Sequence, residues 1–69
     1  MKGIKFEKDN IRIVLLHHID EEGREVTGVC SDLPGMKCYT KEDKDGIMFK
    51  ALEEAFTKIG FKKVEEVEE

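Results

Sequence analysis

Between Met48 and Ile59 the apolar residues fall at Met48, Ala51, Leu52, Ala55, Phe56 and Ile59, the i, i+3, i+4 recurrence of one helical stripe. Ile47 and Phe49 flank the stripe and widen it. Gly60 stands where a left-handed residue ends a helix, and Lys58 lies in the last turn, where a cation suits the helix dipole. At the other end, Thr40 followed by Asp43 has capping-box spacing, with Asp in place of the usual Glu or Gln. Gly46 weakens the first half, so the regular helix is expected to start near Asp43. One amphipathic helix covers one face of a small sheet, so the pattern implies a two-layer α+β fold.

The rest of the chain carries strand and turn signals. "GIKFE", residues 3 to 7, alternates Ile4 and Phe6 with Lys5 and Glu7, the period of a half-buried strand. "KDN" is turn-like, and "IRIVLLHHI", residues 11 to 19, is the strongest strand. "DEEG" reads as a hairpin turn with Gly23 at positive φ, and "REVTGVC" returns from it. In "SDLPGMKCYT" the only proline fixes φ and lacks an N–H, while Gly35 tolerates φ > 0, so Pro34-Gly35 is a turn before a short strand. If that loop is the three residues Leu33, Pro34 and Gly35, Cys30 faces Cys38; a shift of one residue in register removes the coincidence. Beyond Gly60, Phe61, Val64 and Val67 stand three apart, and a short last strand fraying at the acidic end is expected. The expectation is one α+β domain over residues 1–69: a small antiparallel sheet of three to four strands packed by one amphipathic helix, with the short last strand after it.

Size and charge narrow the function classes. A chain of 69 residues buries only about 60% of its unfolded surface, so its core supplies a few kcal/mol and oligomerisation is a common remedy. Two cysteines are too few for a disulfide framework. The first ten residues hold no apolar signal region, and the longest apolar run, Ile13 to Leu16, is far short of a membrane span. A cytoplasmic location follows as an expectation, with Cys30 and Cys38 as free thiols. At a net charge of −4, with lysines scattered among acids, direct nucleic-acid binding is disfavoured and a basic protein partner suits the chain better.

No motif points to catalysis, a cofactor or a metal. His17 and His18 are adjacent on a strand, so their imidazoles point to opposite faces and read as half-buried strand histidines. Cys30 and Cys38 form no C-x-x-C motif and read as packing residues. "DEEG" is a solvated turn, and the six glycines are dispersed, so no phosphate loop exists. More telling is the run Ile13-Val14-Leu15-Leu16: in a sheet covered by one helix only alternate residues need be apolar. Val14 and Leu16 then lie on the second face, covered either within the chain or by another chain, and they are the candidate interface of an expected homodimer.

The turn "SDLPG", a short strand, and a helix carrying "MFKALEEAF" together resemble the HicB-like antitoxin domain over about residues 11 to 59. The matching residues are Asp32, Leu33, Pro34 and Gly35, then Met48, Phe49, Ala51, Leu52, Ala55 and Phe56. The resemblance implies a partial ribonuclease-H-like fold in the order β-β-β-α-β without catalytic acids, dimerisation, and capture of a basic RNA-cleaving toxin. A non-enzymatic binding module of that kind is the expected function. The alternative is a small phage- or mobile-element-type inhibitor, or a protein that sequesters a small ligand.

Overall fold

Asp9 (φ 50°) and Asn10 (φ 68°) both take left-handed backbone, the requirement of a two-residue type I′ hairpin turn. Across them the computed structural model, which describes residues 1–69, pairs strand β1 (Lys2–Lys8) with β2 (Ile11–Ile19), Lys8 opposite Ile11. A second hairpin carries the chain into β3 (Glu25–Ser31): Gly23 sits at φ 81°, and the Asp20 carboxylate accepts from the Glu22 and Arg24 N–H groups. A third, around Pro34-Gly35, leads to β4 (Tyr39–Glu42). After a 3-10 turn at Lys44–Gly46 come helix α1 (Ile47–Lys58) and strand β5 (Lys62–Glu68). The sheet order is β4-β3-β2-β1-β5, with every neighbouring pair antiparallel.

The two-layer α+β arrangement stands, with one more strand before the helix than the β-β-β-α-β order that the resemblance implies. Five strands form, in the order β-β-β-β-α-β, because Tyr39–Glu42 pairs with Val26–Val29 and the tail pairs fully with β1. The tail's unusual spacing has a cause. Lys5 pairs with Glu65 and Phe6 with Lys63, so Val64 is the extra residue of a bulge, and the alternation of faces restarts after it. Two valines three apart are what such a strand requires. Nor does the acidic end fray: the Met1 ammonium donates to the Glu69 carbonyl, and the Glu69 N–H donates back to Met1.

The helix begins later than expected, at Ile47, and Thr40 does not cap it because it lies in β4. Asp43 performs that task from a distance. Asp45 (φ 66°) and Gly46 (φ 69°) turn the chain left-handed, which lets the Asp43 carboxylate accept from the Met48 and Phe49 N–H groups, both at 2.9 Å. This entry also sets the helix's rotation. Phe49 is buried, with Leu52 and Phe56 beside it, while Ala51, Ala55 and Ile59 of the expected stripe lie exposed together with Ile47. Two phenyl rings bury far more apolar area than two alanine methyls, so the rotation that seats Phe49 and Phe56 wins. At the far end Gly60 (φ 104°) closes a Schellman motif: its N–H donates to Thr57 and that of Phe61 to Phe56, with the two rings in contact at 5.9 Å.

Ile4, Phe6, Leu15 and Phe49 form the core, with Ile13, Val29, Leu52, Phe56 and Phe61 packed around them. Phe6 meets Phe56 edge to face at 5.4 Å. All the sheet members of this set lie on one face, and α1 covers it.

Candidate functional site

The register assigns the other face. Leu15 points into the core, so Val14 and Leu16 point away from α1, opposite Lys5 and Gly3 on β1 and opposite Cys30 and Gly28 on β3. Both are half-buried. Leu16 lies across Gly3, where a Cβ would come within 2.8 Å of Leu16 Cδ2, so the missing side chain on β1 makes room for the leucine of β2. Val67, paired with Gly3, extends the apolar surface onto β5, and Val26, opposite His18, continues it toward β4, where it is buried. Beside it runs a shallow groove of about 500 Å³, bordered by Lys5, Glu7, Arg12, Val14, Cys30 and Val64. Two ion pairs lie along its edge, Lys5 with Glu65 at 3.0 Å and Arg12 with Glu7 at 3.5 Å, while the Asp32 carboxylate there has no ionic partner.

The Pro34-Gly35 turn rims this face. The Met36 N–H donates to the Leu33 carbonyl, Pro34 precedes Gly35 at φ 80°, and this is the pattern of a type II turn. Asp32 anchors the turn to β2 by accepting from the Arg12 N–H at 2.9 Å, and its own N–H donates to the Arg12 carbonyl. Leu33 is exposed. Because Val29 pairs with Tyr39, Cys30 and Cys38 fall opposite one another, and they are joined in a disulfide. The expectation of two free thiols is therefore corrected: one step beyond the Val29–Tyr39 pair, the register sets the two sulfurs on the same side.

A polar network lies on the helix-covered face. Thr27, almost fully buried, donates its hydroxyl proton to Asp43 Oδ2 at 2.6 Å and so accepts from His17 Nδ1 at 3.0 Å. His17 Nε2 stands 3.3 Å from Glu25 Oε1, and the other Glu25 oxygen accepts from the Asp45 N–H. A proton on Nε2 turns that approach into a charge-assisted hydrogen bond. Burial pushes the Asp43 carboxyl up, but hydrogen bonds from Thr27, Met48 and Phe49 outweigh it and hold it below its ordinary value. The Asp45 N–H, with His17 second, does the same for Glu25. The network ties β2, β3 and the start of α1 together. The Thr27 hydroxyl is almost fully buried and closed off from solvent on this face.

Sequence reasoning placed His17 and His18 on opposite faces but missed these partners. The signal was present: alternation along "EVTGVC" sets Glu25 and Thr27 on one face, and Thr27 is directly paired with His17. The missing link was Asp43, which only the turn after β4 brings to them. No helix of the chain is long and apolar enough to cross a membrane. In comparisons with known proteins the chain matches no family model, no curated protein and no solved structure.

Proposed function

We propose that the chain is a non-enzymatic protein-binding module of the HicB-like antitoxin kind, acting in the cytoplasm as a homodimer that covers the surface of a basic partner. The observation that carries this reading is the apolar sheet face turned away from α1, where Val14 and Leu16 remain half-exposed. Burying one such side chain stabilises by about 1.5–3 kcal/mol, a large share of what a domain this small possesses. A second copy is the occupant argued for that face. The chain carries a net charge of −4, yet two ion pairs line the groove's edge, so two copies meet there with less repulsion than elsewhere on the surface. The remaining acidic surface is then free for a basic protein. The partial ribonuclease-H-like strand arrangement is part of this proposal.

The test pairs assembly with inhibition. Light scattering of the wild type is expected to give a dimer, and Leu16→Asp a folded monomer. RNA cleavage by a small basic ribonuclease encoded beside this chain should stop at one equivalent of wild-type protein. An uninhibited ribonuclease overturns the antitoxin reading, and a wild-type monomer at all concentrations overturns the dimer. A groove of about 500 Å³ also falls in the range of ligand sites, which favours the second reading, sequestration of a small molecule. That reading requires a ligand that raises the melting temperature of wild-type protein.

A further inference from the structure

We propose that Cys30–Cys38 is a thiol–disulfide exchange site for a dithiol, and that its reduction releases the 32–38 loop while the rest of the fold persists. The inference goes beyond the proposed function and holds whether or not the open face takes a second copy.

Three observations carry it. The bond is reachable: Cys38 is exposed and Cys30 half-buried at the edge of the open groove, whereas a structural disulfide in a core is shielded from thiolates. A cation is at hand: Lys37 precedes Cys38, is exposed, and makes no ion pair within the chain, so its charge favours the approach of an attacking thiolate. The consequences are local, because the loop depends on the bond. Besides the disulfide, the ties between Asp32 and Cys38 are the Met36 N–H to the Leu33 carbonyl, the Leu33 N–H to the Ser31 hydroxyl, and the two bonds of Asp32 with Arg12, all at the Asp32 end or within the turn. By contrast, Val26–Val29 holds β4 by its ladder, and Asp43 holds the helix start. The core cluster contains neither cysteine.

The exchange balances without any other reactant. One thiolate of the dithiol attacks Cys38 Sγ, the S–S bond breaks, and Cys30 leaves as a thiolate that takes up a proton. The second thiol of the reagent, losing its proton, attacks the mixed disulfide and releases Cys38, which is protonated in turn. The chain gains two electrons and two protons, and the dithiol becomes a disulfide. A disulfide of the same class reverses the sequence.

Dithiothreitol serves as the probe, with alkylation and mass measurement to count free thiols and hydrogen exchange to follow the backbone. The expected result is complete reduction under native conditions, at least ten-fold faster exchange at 32–38, and β1 and β2 still the most protected strands, quickened only as far as the fall in global stability requires. Lys37→Glu is expected to slow reduction several-fold without moving the melting temperature. The Cys30→Ser, Cys38→Ser double variant should reproduce the loop's faster exchange. A bond that resists dithiothreitol until denaturant is added overturns the proposal. So does reduction that leaves exchange at 32–38 unchanged, or that unfolds the whole chain.

Discussion

Gly35 and Asp43 are single residues on which local geometry turns. Gly35 holds φ at 80° with open space where a Cβ would go, so a side chain there is opposed by backbone strain and not by a clash. Gly35→Val is expected to cost about 1–3 kcal/mol in a thermal or denaturant melt, and Gly35→Asn distinctly less, because Asn tolerates left-handed backbone. Asp43 is buried and satisfies two helix N–H groups and the Thr27 hydroxyl. Asp43→Asn removes the charge and one acceptor, so it should lower the melting temperature and weaken amide protection at Met48 and Phe49. Unchanged protection at those two amides would show that the helix start is held by something else.

At the scale of elements, α1 and the β3–β4 hairpin each make a clear prediction. The rotation of α1 puts Phe49 at the centre of the buried side and leaves Ile47 mostly in solvent, at 2% and 71% exposure. Phe49→Ala should therefore cost about 3–5 kcal/mol. Ile47→Ala should stay within about 0.5 kcal/mol, as surface substitutions do. Equal costs would mean that the helix sits in the orientation the hydrophobic spacing alone suggests. The hairpin is closed by a disulfide spanning a short loop, so comparison of oxidised and reduced melts should show about 2–3 kcal/mol by the chain-entropy account. β5 earns its place through backbone pairing and through Lys63, which bonds Glu53 of α1 and lies 3.7 Å from Glu66.

For the molecule as a whole, the charge network sets the pH dependence. Asp20, Glu25 and Asp43 all titrate below their ordinary values, Asp20 chiefly through the Arg24 N–H. A carboxyl whose folded pKa is depressed contributes stability that is in place above the unfolded value, here 3.8 for Asp and 4.5 for Glu. That stability is lost as pH falls through the lower folded values. Lys63 runs the other way: the Glu53 carboxylate raises it above 10.5, so its contribution is complete below that value and fades as pH climbs past it. Melting temperature should thus be nearly flat from about pH 6 to about pH 9 as far as these groups decide it, and fall below about pH 4. Asp43→Asn should make the acid limb shallower. An acid limb identical in that variant would assign the loss to the other carboxylates.

Much of this architecture was legible from local chemistry. Pro34-Gly35, Gly23, Asp9-Asn10 and Gly60 each announce a turn or a helix end because their backbone preferences act within a few residues. Alternation placed Val14 and Leu16 opposite Leu15 for the same reason. What only the tertiary structure decided involves partners distant in sequence. The phase of α1 depends on which side chains the sheet can seat, and the 3.6-residue period is nearly as well met by the alanines as by the phenylalanines. The full length of β5 was hidden because a bulge at Val64 breaks its alternation, and that bulge exists only against Lys5 and Phe6 of β1. The His17–Thr27–Asp43 network and the disulfide needed the register of three strands, since a one-residue slip in any of them would have turned those side chains to the wrong face.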